Sequence, residues 1–294
     1  MKTTDILHSV DDILKAVNAA SNKFNKDVWW RGHDRTTYVL RPGIFREECS
    51  HLDEQDIYRR FIMGAPSRHK DLPGEDDMDK PRWLFLMQHY GLPTRLLDWC
   101  EAPLAAAYFS TEKWSNEPAT LWALCPSLLN DRYSGKSKST VPPTPKVPVP
   151  PPHPMNYSPL FYNAFSGRLG THDDIVGVYP EEIDARMMLQ QSRFTIHDTR
   201  KPMEELNNPE EFLMRFEIHS DAKTGICEQL KKLGIRRWSL FPDLENFAGD
   251  LSDKVYREFK VLEKNKAKIS AARPIDSSHD PGHPESENPA INPS

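Results

Sequence analysis

Apolar residues along this chain change repeatedly between a helical period and short, dense runs. Val10, Ile13, Leu14 and Val17 recur at helical spacing, with Ser9 and Asp12 placed as an N-terminal cap. Val28-Trp29-Trp30 reads as a short strand that ends in Arg31-Gly32-His33. A helix is expected around Gln55 to Met63, where Ile57, Phe61 and Ile62 share a face. Pro81 suits the first turn of a helix running to Tyr90, which Gly91 and Pro93 stop. Pro103 can open another through Leu104, the alanines 105–107, Tyr108 and Phe109, whose small residues allow close packing on a sheet. Ala119 to Cys125 predicts a buried strand, and further strands are expected at Ile175 to Tyr179, Arg193 to Ile196 and Phe212 to Ile218. A helix from Ala222 to Leu233 ends at Gly234, and a last one runs from Pro242 through Leu244, Phe247, Ala248, Leu251 and Val255. Strands separated by helices and by one another, without steady βαβ alternation, give an α+β class.

One block breaks the separation of polar and apolar positions. From Trp83 to Trp99, the polar Gln88, His89, Thr94, Arg95 and Asp98 are threaded among Trp, Phe, Leu and Tyr. Buried there, each needs a partner, and an unpaired Arg or Asp would be severely destabilising. The block is therefore either a structural polar knot or a site.

Two segments are left without regular structure. Residues 134–154 pass from Gly-Lys-Ser-Lys-Ser-Thr into a Pro/Val alternation, which favours an exposed polyproline conformation. They read as a solvated insertion loop or as a docking strip for a protein partner. The polar residues 271–294 are expected to be disordered. The resulting plan is an N-terminal helical segment over 1–27, a main domain over 28–248 carrying the insertion, a helical extension over 249–270, and the tail.

Charge and cysteine usage narrow the setting. The formal charge of -5 argues against indiscriminate nucleic-acid binding. The four cysteines are scattered, which suggests free thiols in a reducing compartment rather than a disulfide frame or a zinc site. There is no apolar run of about 18 residues to span a bilayer, so a cytoplasmic protein is expected. His51, His69 and His89 are dispersed and no His-Glu-x-x-His occurs, so no metal is expected. Gly135-Lys136-Ser137 lacks the upstream glycine and strand of a phosphate loop, and no nucleophile elbow is present.

Trp30-Arg31-Gly32 after a short strand, Leu40-Arg41-Pro42, the run Gln88-His89-Tyr90-Gly91-Leu92-Pro93-Thr94-Arg95-Leu96-Leu97-Asp98-Trp99, and Ala107-Tyr108-Phe109 together resemble the FRG domain family. The family is named for Phe-Arg-Gly, and Trp30 stands here in place of the Phe. Residues 186–194 and Leu240-Phe241-Pro242-Asp243-Leu244 look like its later landmarks, so the likeness covers roughly 28–248. The association implies a bacterial setting such as anti-phage defence or toxin activity. The layout is also similar to ADP-ribosyltransferases, which implies a split sheet, NAD as substrate, and cleavage of the nicotinamide–ribose bond. On that likeness Arg31 binds phosphate or ribose and Thr94 and Arg95 line the pocket, with Gln88 and His89 beside them. Asp98 holds the arginines, Gln191 contacts ribose, and Trp99 stacks on a ring.

Each of these residues has a second reading. Arg31 is a planar fork for phosphate or carboxylate, or one half of a buried pair with an acid such as Asp98. His89 is a general base or a helix-end cap. Arg95 faces an anionic ligand or pairs with Asp98. Asp98 orients an arginine, caps the next helix or is the catalytic carboxylate. Trp99, Trp29 and Trp30 stack on a ligand or pack in the core. The late segment Leu189 to Phe194 contains no acid, and Gln191 cannot supply a full negative charge to a cationic transition state. That departure favours a rival class, a non-catalytic ligand- or protein-recognition module. A hydrolase using Asp98 with Glu181 or Glu182 is a third reading, without a metal-type carboxylate cluster to support it.

Overall fold

The computed structural model describes residues 1–76, 79–113, 115–133, 157–180 and 185–271. The predicted proline-rich insertion, the polar tail beyond Ala271, and Glu181 and Glu182 lie outside the described residues. The chain divides into two compact units, Met1–Phe247 and Ala248–Ser294.

The first unit is built on seven strands: β1 (Asp5–Leu7), β2 (Trp29–His33), β3 (Leu96–Cys100), β4 (Ala119–Leu124), β5 (Ile175–Val178), β6 (Ser192–His197) and β7 (Leu213–Ile218). They form one mixed sheet in the order β1-β7-β4-β2-β3-β6-β5, with β1 and β7 parallel and every other pair antiparallel. The α+β class holds. Among the described residues ten α-helices occur: α1 (Val10–Phe24), α2 (Glu54–Gly64), α3 (Lys80–His89), α4 (Pro103–Thr111), α5 (Pro126–Asn130), α6 (Ser158–Phe165), α7 (Ala185–Leu189), α8 (Lys223–Lys232), α9 (Arg237–Leu240) and α10 (Leu244–Ala271). The last of these begins in the first unit and continues into the second. Among the described residues no helix is long and apolar enough to cross a membrane.

Strand alternation sorts the core into two faces. On one face, Trp30, Leu121, Ala123 and Phe216 meet α1, α4 and α8 through Ile13, Ala106 and Leu230. On the same face but at the other end of the sheet, Leu96, Phe194, Ile196 and Val176 meet α2, α3 and α6 through Tyr58, Phe85 and Phe161. Two groups of helices thus cover two halves of one sheet. The opposite face carries Trp29, Leu97, Trp99, Trp122 and Leu213, covered by Leu40, Leu129, Met203 and Phe212.

The two halves meet at β2 and β3, which pair at a single position, Trp30 with Cys100. Every other antiparallel pair in the sheet has four to six registered positions. If the ladder continued, Gly32 would oppose Asp98; instead the strands part there. The sheet is therefore continuous in hydrogen bonding but loosely joined at its middle. Gly32 is required by α4: a Cβ at this position would sit on the carbonyl oxygen of Ala106 and on Ser110 Oγ. Trp30-Arg31-Gly32 is thus a strand whose first residue packs into the core beside Phe216, whose second points to the other face, and whose third admits a helix.

Candidate functional site

Arg31 occupies the parting of the two strands. Its Nη1 donates to the backbone oxygen of Asp98 at 2.6 Å, and its Nε donates to His33 Nε2 at 3.0 Å. The guanidinium takes over part of the role of the missing ladder bonds. The Asp98 carboxylate lies 3.7 Å from Nη1, and with 55% of its side chain accessible it is an open acid. The expectation of an Asp98 enclosed by apolar neighbours is corrected on that point: Leu97 and Trp99 turn to the opposite face by alternation. Burial lowers the Arg31 pKa, and the Asp98 charge opposes that shift.

A chain of hydrogen bonds continues from Asp98 into the loop after α3. Gln88 Nε2 donates to Asp98 Oδ2 at 2.9 Å, Thr94 Oγ1 donates to Gln88 Oε1 at 2.5 Å, and the Leu96 N–H donates to Thr94 Oγ1 at 3.0 Å. Gln88 sits at the end of α3, and the Gly91–Pro93 turn brings Thr94 back against it. Gly91 takes φ +78, a left-handed conformation open to glycine. The structure therefore unites Arg31, Asp98, Gln88 and Thr94 in one network.

Arg95 belongs to a different one. Its Nε and Nη2 donate to the two Glu54 oxygens at 2.9 and 2.5 Å, its Nη1 to Asp198 Oδ1 at 2.8 Å, and its Nη2 also to the Arg168 carbonyl at 2.9 Å. Tyr58 donates to Glu54 and Asn163 donates to Asp198, so both carboxylates are held from behind. Arg95 is fully buried. Burial presses its pKa down, but the Glu54 hydrogen bonds and charge outweigh that and raise it. At Asp198 burial wins and the pKa rises, against Asn163 and Arg95. The expected pairing of Arg95 with Asp98 is absent, because residues three apart in an extended chain point to opposite sides. This half of the central block is a structural knot.

The remaining candidates lie elsewhere. Trp99 is buried in the core with its Nε1 donating to Thr195 Oγ1 at 3.1 Å. His89 ends α3 with its ring 4.9 Å from that of Tyr90. Gln191 is an exposed turn residue at φ 48 whose backbone oxygen accepts from the Glu101 N–H. None of the three lines the cleft described next.

That cleft, of about 660 Å³, opens along the uncovered edge of β2. Arg31, Gly32, His33 and Asp34 form one wall, and Tyr38, Arg41, Arg46, Glu47 and Glu48 form another. The end of α4, through Phe109, Glu112 and Lys113, closes it together with Phe241. His33 is neutral: burial first, then the charge of Arg31, hold its pKa well below the usual histidine range. A neutral ring that accepts at Nε2 carries its proton on Nδ1. That nitrogen is buried, and the Tyr38 backbone interacts with the ring in the sense that favours its proton. Arg41 Nε is buried with no hydrogen-bond partner among the described residues. It is a donor left unused among the described residues of the cleft wall. Glu112 is anchored by the Arg237 guanidinium, and Arg46 Nε donates to the Arg41 carbonyl at 3.3 Å.

Leu40-Arg41-Pro42 and Leu240-Phe241-Pro242 were visible as sequence landmarks, yet no role attached to Arg41 or Phe241. Nothing in the local pattern around Tyr38, Arg46 or Glu112 marks them as wall residues.

Residues 26–119 match the family model of the FRG domain. The match takes in β2, α2, α3, β3 and α4, and hence Arg31, Gly32, Arg41 and both polar networks' central block. It stops short of the later landmarks at 186–194 and 240–244. No curated protein and no solved structure matches the chain.

Proposed function

From an FRG domain whose two central strands part beside a lined cleft, we propose that this protein binds NAD or a related nucleotide along the edge of β2. We further propose that it cleaves the nicotinamide–ribose bond. The observation that carries the reading is Arg31, a guanidinium fixed by His33 and the Asp98 carbonyl and presented to a cleft of nucleotide size. Arg31, Arg41 and Arg46 offer planar forks to a pyrophosphate. Tyr38, Phe109 and Phe241 offer surfaces for rings. Glu47, Glu48 and Glu112 give the cleft the carboxylates that the segment around Gln191 lacks. A carboxylate there would stabilise the positive charge that develops at the ribose as the bond breaks. The electron pair leaves with the nicotinamide nitrogen, and water or an acceptor nucleophile adds at the ribose carbon. A role in anti-phage defence or as a toxin would follow from such depletion of NAD or modification of a target.

A non-catalytic recognition module is the second reading. It is favoured by the closed Arg95 knot and by the placement of Gln191 and Trp99 away from the cleft.

The test is to incubate the full chain with NAD, follow free nicotinamide by chromatography, and measure binding by calorimetry. Binding that weakens roughly tenfold in Arg31→Lys supports the site, because lysine keeps the charge and loses the fork. Nicotinamide release lost in Glu112→Gln, or in Glu47→Gln with Glu48→Gln, identifies the acid. Binding without release moves the protein to the recognition class, and absence of NAD binding overturns the proposal.

A further inference from the structure

Phe241 stands on the cleft wall, yet the segment that carries it is lightly built into the first unit. From Lys232 to Phe247, Leu240 is the one buried residue; Ile235 and Phe241 pack partly against the core, and Trp238, Leu244 and Phe247 are exposed. The segment leaves α8 at Gly234, where φ is +89 and an added Cβ would meet nothing within 4 Å. A stretch with so little buried apolar surface opens locally at low free energy.

Within itself the same segment is tied. Arg237 Nε donates to Asn246 Oδ1, the Asn246 N–H donates to Asp243 Oδ1 in the manner of an N-cap, and the Trp238 and Phe247 rings meet edge-on at 6.3 Å. α9 and the first turn of α10 are thus one small clasp. It meets the cleft where Arg237 Nη1 donates to Glu112, just past α4, and where the Phe241 ring packs on Phe109 at 6.0 Å. The Arg237 guanidinium also lies 5.2 Å from the Phe241 ring, so one side chain serves both contacts. We propose that residues 234–247 are a strap over the cleft that opens as a unit, hinged at Gly234 and latched by Arg237 on Glu112. The proposal rests on the reading that this cleft takes a ligand. Closed, the strap lays Phe241 on Phe109 and occupies Glu112; open, it withdraws the ring and leaves the carboxylate to a ligand. Arg237 is a positioning residue, since it acts through Glu112. With the Arg237 side chain about half exposed, the ion pair is weak enough to break often, while its charge-assisted bond sets the closed position.

Hydrogen exchange of the full chain, followed by mass spectrometry, reads the opening. Arg237→Gln and Glu112→Ala should each speed exchange across 235–247 by roughly fivefold with β2 and β4 unchanged, and the double variant should exceed neither. A purely local role of Arg237 in α9 would not give that equality, because Glu112 belongs to the other side of the contact. Additive effects, or a Glu112→Ala variant that leaves the segment's rate unchanged, overturn the latch. In a second arm, saturating NAD should slow exchange of 235–247 in the unmodified chain by roughly tenfold. NAD that binds by calorimetry and leaves this rate unchanged overturns the strap as a cover. NAD that does not bind overturns the proposed function instead, and the exchange rates of the variants then decide the strap by themselves.

Discussion

Arg31 Nη1 donates to the backbone oxygen of Asp98 across the point where β2 and β3 stop pairing. A side chain thus ties two strands that the backbone leaves apart, and the edge freed by their divergence becomes a cleft wall. Arg31→Lys cannot make both the His33 and the Asp98 contacts from one ammonium. The expected loss is about 1–3 kcal/mol, read as a lower denaturant midpoint with an unchanged slope. An unchanged midpoint would show that the tie contributes nothing to stability.

The Arg95 knot responds differently. Glu54→Ala leaves a fully buried guanidinium with Asp198 as its remaining carboxylate partner among the described residues. The expected cost is about 3–5 kcal/mol in urea unfolding, with NAD affinity of the folded fraction unchanged. Loss of affinity without loss of stability would make the knot part of the site.

Histidines give the pH dependence its sign. His197 is buried with its pKa pulled down to about 3, by burial and then by the charges of Arg31 and Arg95, and His33 is also held low. In the unfolded chain each takes a proton near its ordinary value of about 6.5. Between those limits the unfolded state binds more protons, so stability falls as pH drops from about 6.5 towards 3 and is insensitive to these groups well above 7. His197 contributes a loss of about 2 kcal/mol between pH 7 and pH 5, and His33 adds to it in the same direction. In His197→Gln the pH slope of the urea midpoint should flatten by up to one proton. The raised pKa of Asp198 acts in the opposite direction but is common to both chains. An equal slope in the two would place the His197 pKa near its ordinary value.

Gly32→Ala forces a methyl group onto the backbone of α4 at Ala106. A backbone obstacle cannot swing aside, so a loss of about 1–3 kcal/mol or more is expected, seen as a lower melting temperature. An Ala variant of wild-type stability would mean that α4 rides further from β2 than described.

Most elements were legible because their signals are local. Pro81 and Gly91 bracket α3, Pro103 opens α4, and the apolar run at 119–124 is β4. The Gln88–Thr94–Asp98 network closes within ten positions, yet the sequence marked the block only as a polar knot or a site and did not assign these pairings. β3 was not read as a strand, because Asp98 interrupts the apolar run and the strand's identity comes from its pairing with β6. β1 has three residues and exists through its parallel pairing with β7. Arg95 finds Glu54 at a separation of 41 residues and Asp198 at 103, beyond any spacing rule. Phe241 and Arg46 became cleft residues only once the chain had brought distant loops together.

The single Trp30–Cys100 pair makes the middle of the sheet its most compliant seam. Mechanical strain on a plate gathers at its thinnest stitch, and here each flanking half is stiffened by its own helices while the stitch is one peptide pair, the Cys100 thiol on the Trp30 carbonyl, and one guanidinium. Breathing of the molecule should therefore concentrate at this line, with the aperture of the cleft following the angle between the two halves. A molecule grasped from both sides would act as a splint across it.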